Sequence, residues 1–381
     1  MKTLNTFTLF LLVVLGSASA IFPANGWAVE EQIRLFRGIR SAGMGGVITT
    51  TGNYGEALYG NPARHVRVDV SKLSFLDLLF EVNSNLVTSY NELEGISGAS
   101  GSEVISKATG LIGKNQHGRI QNLTGYFDPK VYDDFGGAIG FLTSFQTNLL
   151  IRPTTDIDVQ SVLDSGISIG AAKSYFHKRL SLGINIHMLY RMGVDKVIPA
   201  IDILSGRSLK PREYAGQGIG FDADFGGYYQ IPWEPRFMRL NVGGSINGLL
   251  QSNFNTMSGE IIDGVKTAPP RQDRTVNLGL RADFPDSKIL AAPLIALEVQ
   301  NLGSINKRYS FLKRLHFGGE ARVSRRVALR TGLYQGYPSG GVGINLPVVK
   351  LDFATYVEEL GGVAAEWPDR RYLFRIAAEL L

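Results

Sequence analysis

The chain lacks cysteine altogether and is poor in charged residues. Its 381 residues include no Cys, which excludes disulfides, cysteine metal sites, a cysteine nucleophile and a lipoprotein anchor. Charged residues make up 19% of the chain, below an average usage of about 25%. The formal net charge of +5 is not gathered into a block of Lys or Arg, so we expect no nucleic-acid partner.

Long apolar runs are also missing outside the N-terminus. Lys2, the apolar run 7–15 and the small residues up to Ala20 form the pattern of a secretory signal peptide. We expect residues 1–28 to be this peptide, with cleavage after Ala20 or Ala28. Beyond it no run approaches the ~18 apolar residues of a spanning helix. The sequence therefore predicts an exported protein without a helical span.

What the chain does have is alternation of apolar and polar residues from about residue 70 to the end. Between residues 180 and 188, for example, every second residue is apolar and the others are Ser, Gly, Asn and His. About fourteen segments alternate in this way and predict β-strands. They span 70–84, 118–128, 135–149, 160–174, 178–191, 216–230, 236–250, 273–285, 290–302, 313–323, 326–336, 340–347, 349–358 and 370–381.

Most of these segments have the length of a tilted membrane strand, about 9–11 residues, or more. Their connections alternate between short and long, as in outer-membrane barrels. A soluble sandwich would also have two-faced strands, but the signal peptide and the nearly uncharged apolar faces favour a membrane. Open sheet edges are not tolerated in lipid. The predicted fold is therefore all-β: a transmembrane antiparallel β-barrel of about 14 strands over residues 66–381.

The polar faces of the predicted strands should line the lumen of this barrel. They combine acids, bases and histidines, which we interpret either as a solvated structural network or as a polar path. The members of this predicted lumenal network are His187, Asp222, Asp224, Arg239, Arg281, Asp283, Glu298, His316, Glu320, Arg322, Arg330, Lys350, Asp352 and Arg375.

A glycine-rich stretch at 37–63 precedes the first strand and has too few apolar residues in register for a stable helix. We interpret residues 29–65 as a plug, or hatch, inside the lumen. Glycine permits close backbone approach and positive φ, and Pro62 gives a rigid exit. Arg37 and Arg40 should pair with lumenal carboxylates. The candidate hatch residues are Arg37, Gly43, Gly45, Gly46, Asn61, Pro62 and Ala63; the candidate carboxylates are Asp222, Asp224, Asp283, Glu298, Glu320 and Asp352.

The sequence Gly43-Met44-Gly45-Gly46, followed by Asn61-Pro62-Ala63, resembles the N-terminal signature of the FadL family. These are outer-membrane transporters of long-chain fatty acids and other hydrophobic compounds. The resemblance implies a fourteen-stranded barrel with an N-terminal hatch in the bacterial outer membrane. It implies three partners: the lipid bilayer, a hydrophobic small molecule and the barrel-assembly machinery. The chain departs from the family in ending with Leu380-Leu381 instead of Phe.

Apolar residues in the predicted loops bear on a hydrophobic ligand. Their spacing between 102 and 114 predicts a short helical insertion. This cluster and a second at 197–204 would either capture a ligand or pack on the barrel rim. The residues concerned are Leu111, Ile112, Val197, Ile198, Ile201 and Leu204.

We expect the protein not to be an enzyme and to need no cofactor or metal. The sequence has no G-x-S-x-G or H-E-x-x-H motif, and its five histidines are scattered. The resulting hypothesis is a channel for uptake of hydrophobic compounds such as long-chain fatty acids. The alternative is a plugged barrel that transports nothing and serves as a scaffold or secretion-machinery subunit.

Overall fold

A computed structural model of the protein describes residues 31–68, 70–91, 94, 109–132, 134–153, 156–199, 214–233, 235–252, 254, 267–303, 310–324 and 326–380. Within these ranges the fold is a closed barrel of fourteen antiparallel strands. The strands are β1 Lys72–Asn83, β2 Gln116–Tyr132, β3 Phe135–Ile151, β4 Ile157–Tyr175, β5 Leu180–Ile198, β6 Gly216–Gln230, β7 Arg239–Asn247, β8 Thr275–Asp283, β9 Ala291–Leu302, β10 Leu315–Arg322, β11 Val327–Tyr334, β12 Tyr337–Asn345, β13 Val349–Glu359 and β14 Pro368–Leu380.

Each strand pairs with its neighbours in sequence, and β1 pairs with β14 to close the wall. The predicted fold class and strand number are confirmed. The wall is uneven, because β2 to β5 have 17 to 19 residues whereas β7 and β8 have 9 each. The sequence pattern underestimated the lengths of β2 and β5, because the ends of these strands carry polar residues on both faces.

The outer surface of the barrel is apolar. Ile184, Ile186 and Met188 on β5 are 45%, 53% and 49% exposed, while the intervening Asn185 and His187 are buried in the lumen. The same alternation places Phe221 and Phe225 of β6 outside. An exposed apolar belt around a barrel with a polar interior is the surface that lipid hydrocarbon covers.

The two ends of the barrel differ in their connections. We call the end with the short turns, where β1 begins and β14 ends, the lower rim. The connections at this end join β2 to β3, β4 to β5, β6 to β7, β8 to β9, β10 to β11 and β12 to β13. The other end, the upper rim, carries most of the long connections. It also has a tight turn, at Gln335 and Gly336, whose φ values of 53° and 91° are those of a two-residue hairpin.

Helices are few and short among the described residues. They are α1 Ile39–Gly43, α2 Gly55–Tyr59, a 3₁₀ helix Pro62–Arg67, α3 Ser84–Thr88 and α4 Phe311–Arg314. The expectation of no stable helix in the glycine-rich stretch is corrected by α1 and α2, each of which has five residues packed against the wall. Of the predicted insertion near 102–114, residues 102–108 lie outside the described residues. Residues 110–114 form a turn, with a β-bridge from Ile112 to Ile151.

Candidate functional site

Residues 31–68 cross the interior of the barrel, and we call them the lumenal segment. The segment contacts opposite sides of the wall: α1 lies against β11 to β14, and the 3₁₀ helix lies against β2 to β6. Most of its side chains are buried. Residues 29–30 of the predicted hatch lie outside the described residues, as does the whole of the predicted signal peptide.

The glycines of the segment sit where a side chain would not fit. Gly45 and Gly46 have φ values of 69° and 86°, which favour glycine. A Cβ on Gly45 would lie 2.7 Å from the carbonyl oxygen of Leu333, and one on Gly43 would lie 3.2 Å from the Cα of Gly341. The wall contributes glycines of its own here, since Gly318 on β10 lies against the backbone of Met44. The segment therefore touches the wall backbone to backbone.

The Asn61-Pro62-Ala63 motif begins the 3₁₀ helix near the lower rim. Asn61 caps this helix by accepting the N–H of Ala63 at 3.0 Å. Its side-chain amide donates to the carbonyls of Thr49 and Gly227 at 2.8 and 3.1 Å. Pro62 packs against the glycines of β5 and β6, Gly183 and Gly226. One asparagine thus ties two parts of the lumenal segment to the wall.

Glu298 on β9 anchors the middle of the lumenal segment. Its carboxylate accepts the backbone N–H groups of Ile48, Thr49 and Thr50 at 2.9, 3.1 and 2.9 Å. The buried His316 lies 2.7 Å from the carbonyl oxygen of Gly45, through Nδ1. Two members of the predicted lumenal network therefore bind the backbone of the lumenal segment instead of one another.

Arg37 is buried in a group of charges near the upper side of the segment. It pairs with Glu358 at 3.2 Å and lies 3.6 Å from Glu81. None of the carboxylates expected for Arg37 is its partner, because α1 packs against β11 to β14 and places Arg37 beside acids of β1 and β13. Glu31 forms a two-pronged pair with Arg371, at 2.8 and 2.6 Å.

This buried group was missed in the sequence, although five of its eight charges fall on inward positions of the strands. Four acids and four bases share it, so their formal charges balance. Burial raises the pKa of Glu31, but Arg371, His117 and Arg37 together outweigh burial and hold that pKa well below its usual range. The members are Glu31, Glu81, Glu358, Asp369, Arg34, Arg37, Arg119 and Arg371.

A second ionic ladder runs below the segment and includes several predicted residues. Arg40 makes a bidentate pair with Glu320, with both distances 2.9 Å. Arg330 bridges Glu320 and Asp352 at 2.8 and 2.7 Å. Arg375 continues from Asp352. The expectation that Arg40 pairs with a lumenal carboxylate fits this geometry.

Lys350 joins the ladder indirectly, since Lys350 and Arg375 both bind Glu379, at 2.5 and 2.9 Å. Arg281 pairs with Asp283 on its own strand and donates to the carbonyl of Thr50. Arg239 and Arg322 are exposed at the lower rim, with no ion-pair partner within the described ranges.

The remaining predicted lumenal residues meet on β5 and β6. His187 lies between Ser168, at 2.7 Å, and Asp224, at 3.0 Å. Asp224 also accepts the N–H of Gly248, and Asp222 accepts those of Leu250 and Ser252. These acids hold the connection after β7 against the wall.

An apolar patch inside the lumen was not predicted. Leu35 and Leu58 of the lumenal segment pack with Leu123, Leu142 and Leu189 of β2, β3 and β5. The rings of Phe36, Tyr59 and His187 stack beside the patch, with centroid distances of 5.0 and 5.3 Å. The lumen thus has an apolar side at β2 to β5 and an ionic side at β10 to β14.

Three cavities border the lumenal segment. One of about 110 Å³ lies above it, between Phe36, Tyr59 and the wall, and one of about 150 Å³ lies below it, along the ionic ladder. A larger vestibule of about 820 Å³ opens at the upper rim beside Gln160 and Pro269. The segment separates the upper cavities from the lower one.

The apolar loop residues are not gathered on one exposed surface. Leu111 and Ile198 are buried, at 1% and 4% exposure, whereas Val197 is exposed. Ile112 is half-buried. Ile201 and Leu204 lie outside the described residues. The burial of Leu111 and Ile198 favours the second alternative, packing on the barrel rim.

No group of three or more metal-ligating side chains occurs within the described ranges. In the same part of the chain, no helix is both long and apolar enough to span a membrane.

The comparisons with known proteins bear on the fold. The sequence matches no protein-family model and no curated protein. The structure is similar to the P. putida toluene transporter TodX, with TM-score 0.49 and 12% identity over 91% of this chain and 97% of that one. A deltaS2S3 mutant of TodX, a monoaromatic hydrocarbon channel, gives TM-score 0.52 and 11% identity over 90% and 98%. The Ralstonia pickettii toluene transporter TbuX gives 0.48 and 11% over 91% and 98%.

At identities of 11–12% the similarity shows the fold alone. We base this similarity on the TodX mutant, whose TM-score of 0.52 is above 0.5. That likeness agrees with the strand number and closure described above. The chain therefore has the fold of the FadL-type hydrocarbon channels, as the sequence resemblance implied.

Proposed function

We propose that this barrel lies in a bacterial outer membrane and passes hydrophobic compounds inward, with the lumenal segment as its hatch. Long-chain fatty acids are one candidate class. The lower rim then faces the periplasm, because short turns lie on that side of outer-membrane barrels.

The apolar patch inside the lumen is the observation that carries this proposal. If the segment only stabilised the barrel, ion pairs alone could hold it in the interior, as they do at β10 to β14. Instead, Leu35 and Leu58 of the segment meet Leu123, Leu142 and Leu189 of the wall. The cavity above the segment reaches this patch through Leu35 and Leu189. At this patch, an apolar molecule that entered from the upper rim would pass out of water into an apolar environment.

Passage then requires the lumenal segment to shift, since it separates the cavities above and below. The absence of cysteine allows a clean disulfide test. A Cβ on Gly243 of β7 would lie 2.9 Å from Cγ2 of Thr50. That spacing suits a disulfide between Thr50→Cys and Gly243→Cys, whose Cβ atoms would then be about 4 Å apart.

The experiment measures uptake by proteoliposomes that contain the double cysteine variant, oxidised and reduced. Oleate represents the long-chain fatty acids. Toluene represents the monoaromatic hydrocarbons, because the TodX mutant is a monoaromatic hydrocarbon channel. We expect oxidation to abolish uptake and reduction to restore it, while each single cysteine variant is insensitive to oxidation. Equal uptake in both states would exclude a moving hatch.

A different observation favours the alternative function, a scaffold that transports nothing. Many hydrogen bonds and ion pairs join the hatch to the wall. Glu298, His316, Asn61 and the Arg37 group fix the segment at many points. A barrel that takes up neither oleate nor toluene in its reduced, heat-modifiable form would support a non-transporting plug.

A further inference from the structure

A groove on the outside of the lower rim is unrelated to the lumen. It lies where the turn between β4 and β5 meets the end of β6. Phe176, His177, Arg179, Leu180 and Tyr229 line it, and its volume is about 460 Å³. Leu180 and Tyr229 are cross-strand partners. Tyr229 is 40% exposed on the outer face, so the groove opens toward the membrane side.

The groove joins apolar surface to positive charge. Above it the outer face of β5 continues as Leu182 and Ile184, both exposed. At its lower edge lie the exposed side chains of His177, Lys178 and Arg179. An apolar wall that ends in cations matches a molecule with hydrocarbon chains and an anionic head.

Arg179 is the cation best placed to bind an external anion. Its carbonyl oxygen accepts hydrogen bonds from Gln230 and Arg67, at 2.9 and 3.1 Å, which fixes its backbone. Its guanidinium has no protein partner within the described ranges. Lys178 is less free, because it lies 3.6 Å from Asp134. A guanidinium presents paired donors that fit a phosphate.

The backbone of this turn adds a second, independent observation. Phe176, His177 and Lys178 have φ values of 52°, 53° and 66°. Three successive residues with side chains in this region are unusual, since glycine alone adopts it freely. The turn keeps an aromatic ring, an imidazole and an ammonium where glycine would relieve strain. This indicates that the side chains have a task.

We infer that this groove binds one anionic glycerophospholipid of the leaflet that meets the lower rim. Its phosphate lies against Arg179 and His177, and its acyl chains lie along Leu180, Leu182 and Tyr229. The inference does not depend on uptake, since the groove is outside the barrel. A soluble anion would gain nothing from the apolar wall, so lipid is the occupant that fits both halves.

Native mass spectrometry of the full-length protein in detergent tests this directly. The probes are dioleoyl phosphatidylglycerol and dioleoyl phosphatidylethanolamine, added singly at equal concentration. We expect preferential retention of one phosphatidylglycerol by the unmodified protein. Arg179→Gln should weaken that first binding event about tenfold, the usual effect of losing one charge-assisted hydrogen bond. Lys288→Gln, in the turn between β8 and β9, is the matched control and should bind as before.

Three results would overturn the site. Equal retention of the two lipids would show that the groove does not select an anionic head group. If Lys288→Gln weakened binding as much as Arg179→Gln, the general positive charge of the rim would account for the binding. Undiminished binding by Arg179→Gln would exclude the groove. Phe176→Ala provides a second variant that keeps the charge and should also weaken retention. In the unmodified protein, high salt should release phosphatidylglycerol first, which needs no variant at all.

Discussion

Glu298 holds Thr50 through two hydrogen bonds, because its Oε1 accepts both the backbone N–H, at 2.9 Å, and the hydroxyl, at 3.0 Å. Its Oε2 accepts the N–H groups of Ile48 and Thr49. A single wall carboxylate therefore fixes three successive residues of the lumenal segment. It does so where the segment would have to yield for any ligand to pass.

Glu298→Gln should loosen residues 48–50. The amide group replaces one acceptor oxygen with a donor, which leaves at least one buried N–H unpaired at a cost of about 1–3 kcal/mol. We expect amide hydrogen exchange at 48–50 to accelerate by one to two orders of magnitude. Asp286→Asn, which alters a carboxylate on the lower rim, should change exchange only near its own partner, Ala292. Unchanged exchange at 48–50 would show that other contacts suffice.

The bidentate pair between Glu31 and Arg371 should contribute to the stability of the folded barrel. Removing one partner of a buried pair commonly costs about 3–5 kcal/mol, because the other charge stays buried. Glu31→Gln and Arg371→Gln should each lower the midpoint of urea unfolding. The double variant should lose less than the sum of the two, since neither charge is then stranded. Additive losses would mean that the two side chains act independently.

Much of the wall could be predicted from the sequence, since a strand with one lipid face and one lumenal face must alternate with period two. The fourteen strands follow from that rule, and β6 has its expected limits. The ends of β2 and β5 could not be placed, because strands that extend past the membrane no longer need an apolar outer face.

The contacts inside the lumen were less predictable, for a different reason. Alternation assigns a residue to a face but not to a partner, so Arg40 met one of its expected acids while Arg37 met Glu358. The apolar patch broke the rule that inward residues are polar. A signal was available: the segment 118–128 has apolar residues on both faces, with Leu123 and Phe127 opposite Ile120 and Tyr126.

His65 should make the protein less stable in acid. Burial lowers its pKa to about 4 in the folded state, although a hydrogen bond with Asn185 opposes this. In the unfolded chain its pKa is about 6.5. Between these values the unfolded state binds a proton that the folded state does not, so the free energy of unfolding falls by about 3 kcal/mol from pH 7 to pH 4.

Urea unfolding at pH 7.5, 5.5 and 4.5 measures this dependence. His65→Gln keeps a donor for Asn185 but cannot be protonated, so it should be less sensitive over the same range. If His65→Gln and the unmodified protein lose stability in parallel, the acid sensitivity arises from other groups.

Gly45→Ala should displace the lumenal segment, and Gly336→Ala shows what backbone strain alone costs. Both glycines have positive φ, 69° and 91°, so alanine costs about 1–2 kcal/mol at either position. A Cβ on Gly336 has no atom within 4 Å, whereas one on Gly45 would overlap the carbonyl of Phe317 and lie 2.7 Å from that of Leu333. The overlap adds about 1–3 kcal/mol, because the wall must move or the segment must leave it. We therefore expect Gly45→Ala, but not Gly336→Ala, to raise single-channel conductance in planar bilayers. Equal conductance in the two variants would mean that the segment stays seated against β10 and β11 despite the added methyl group.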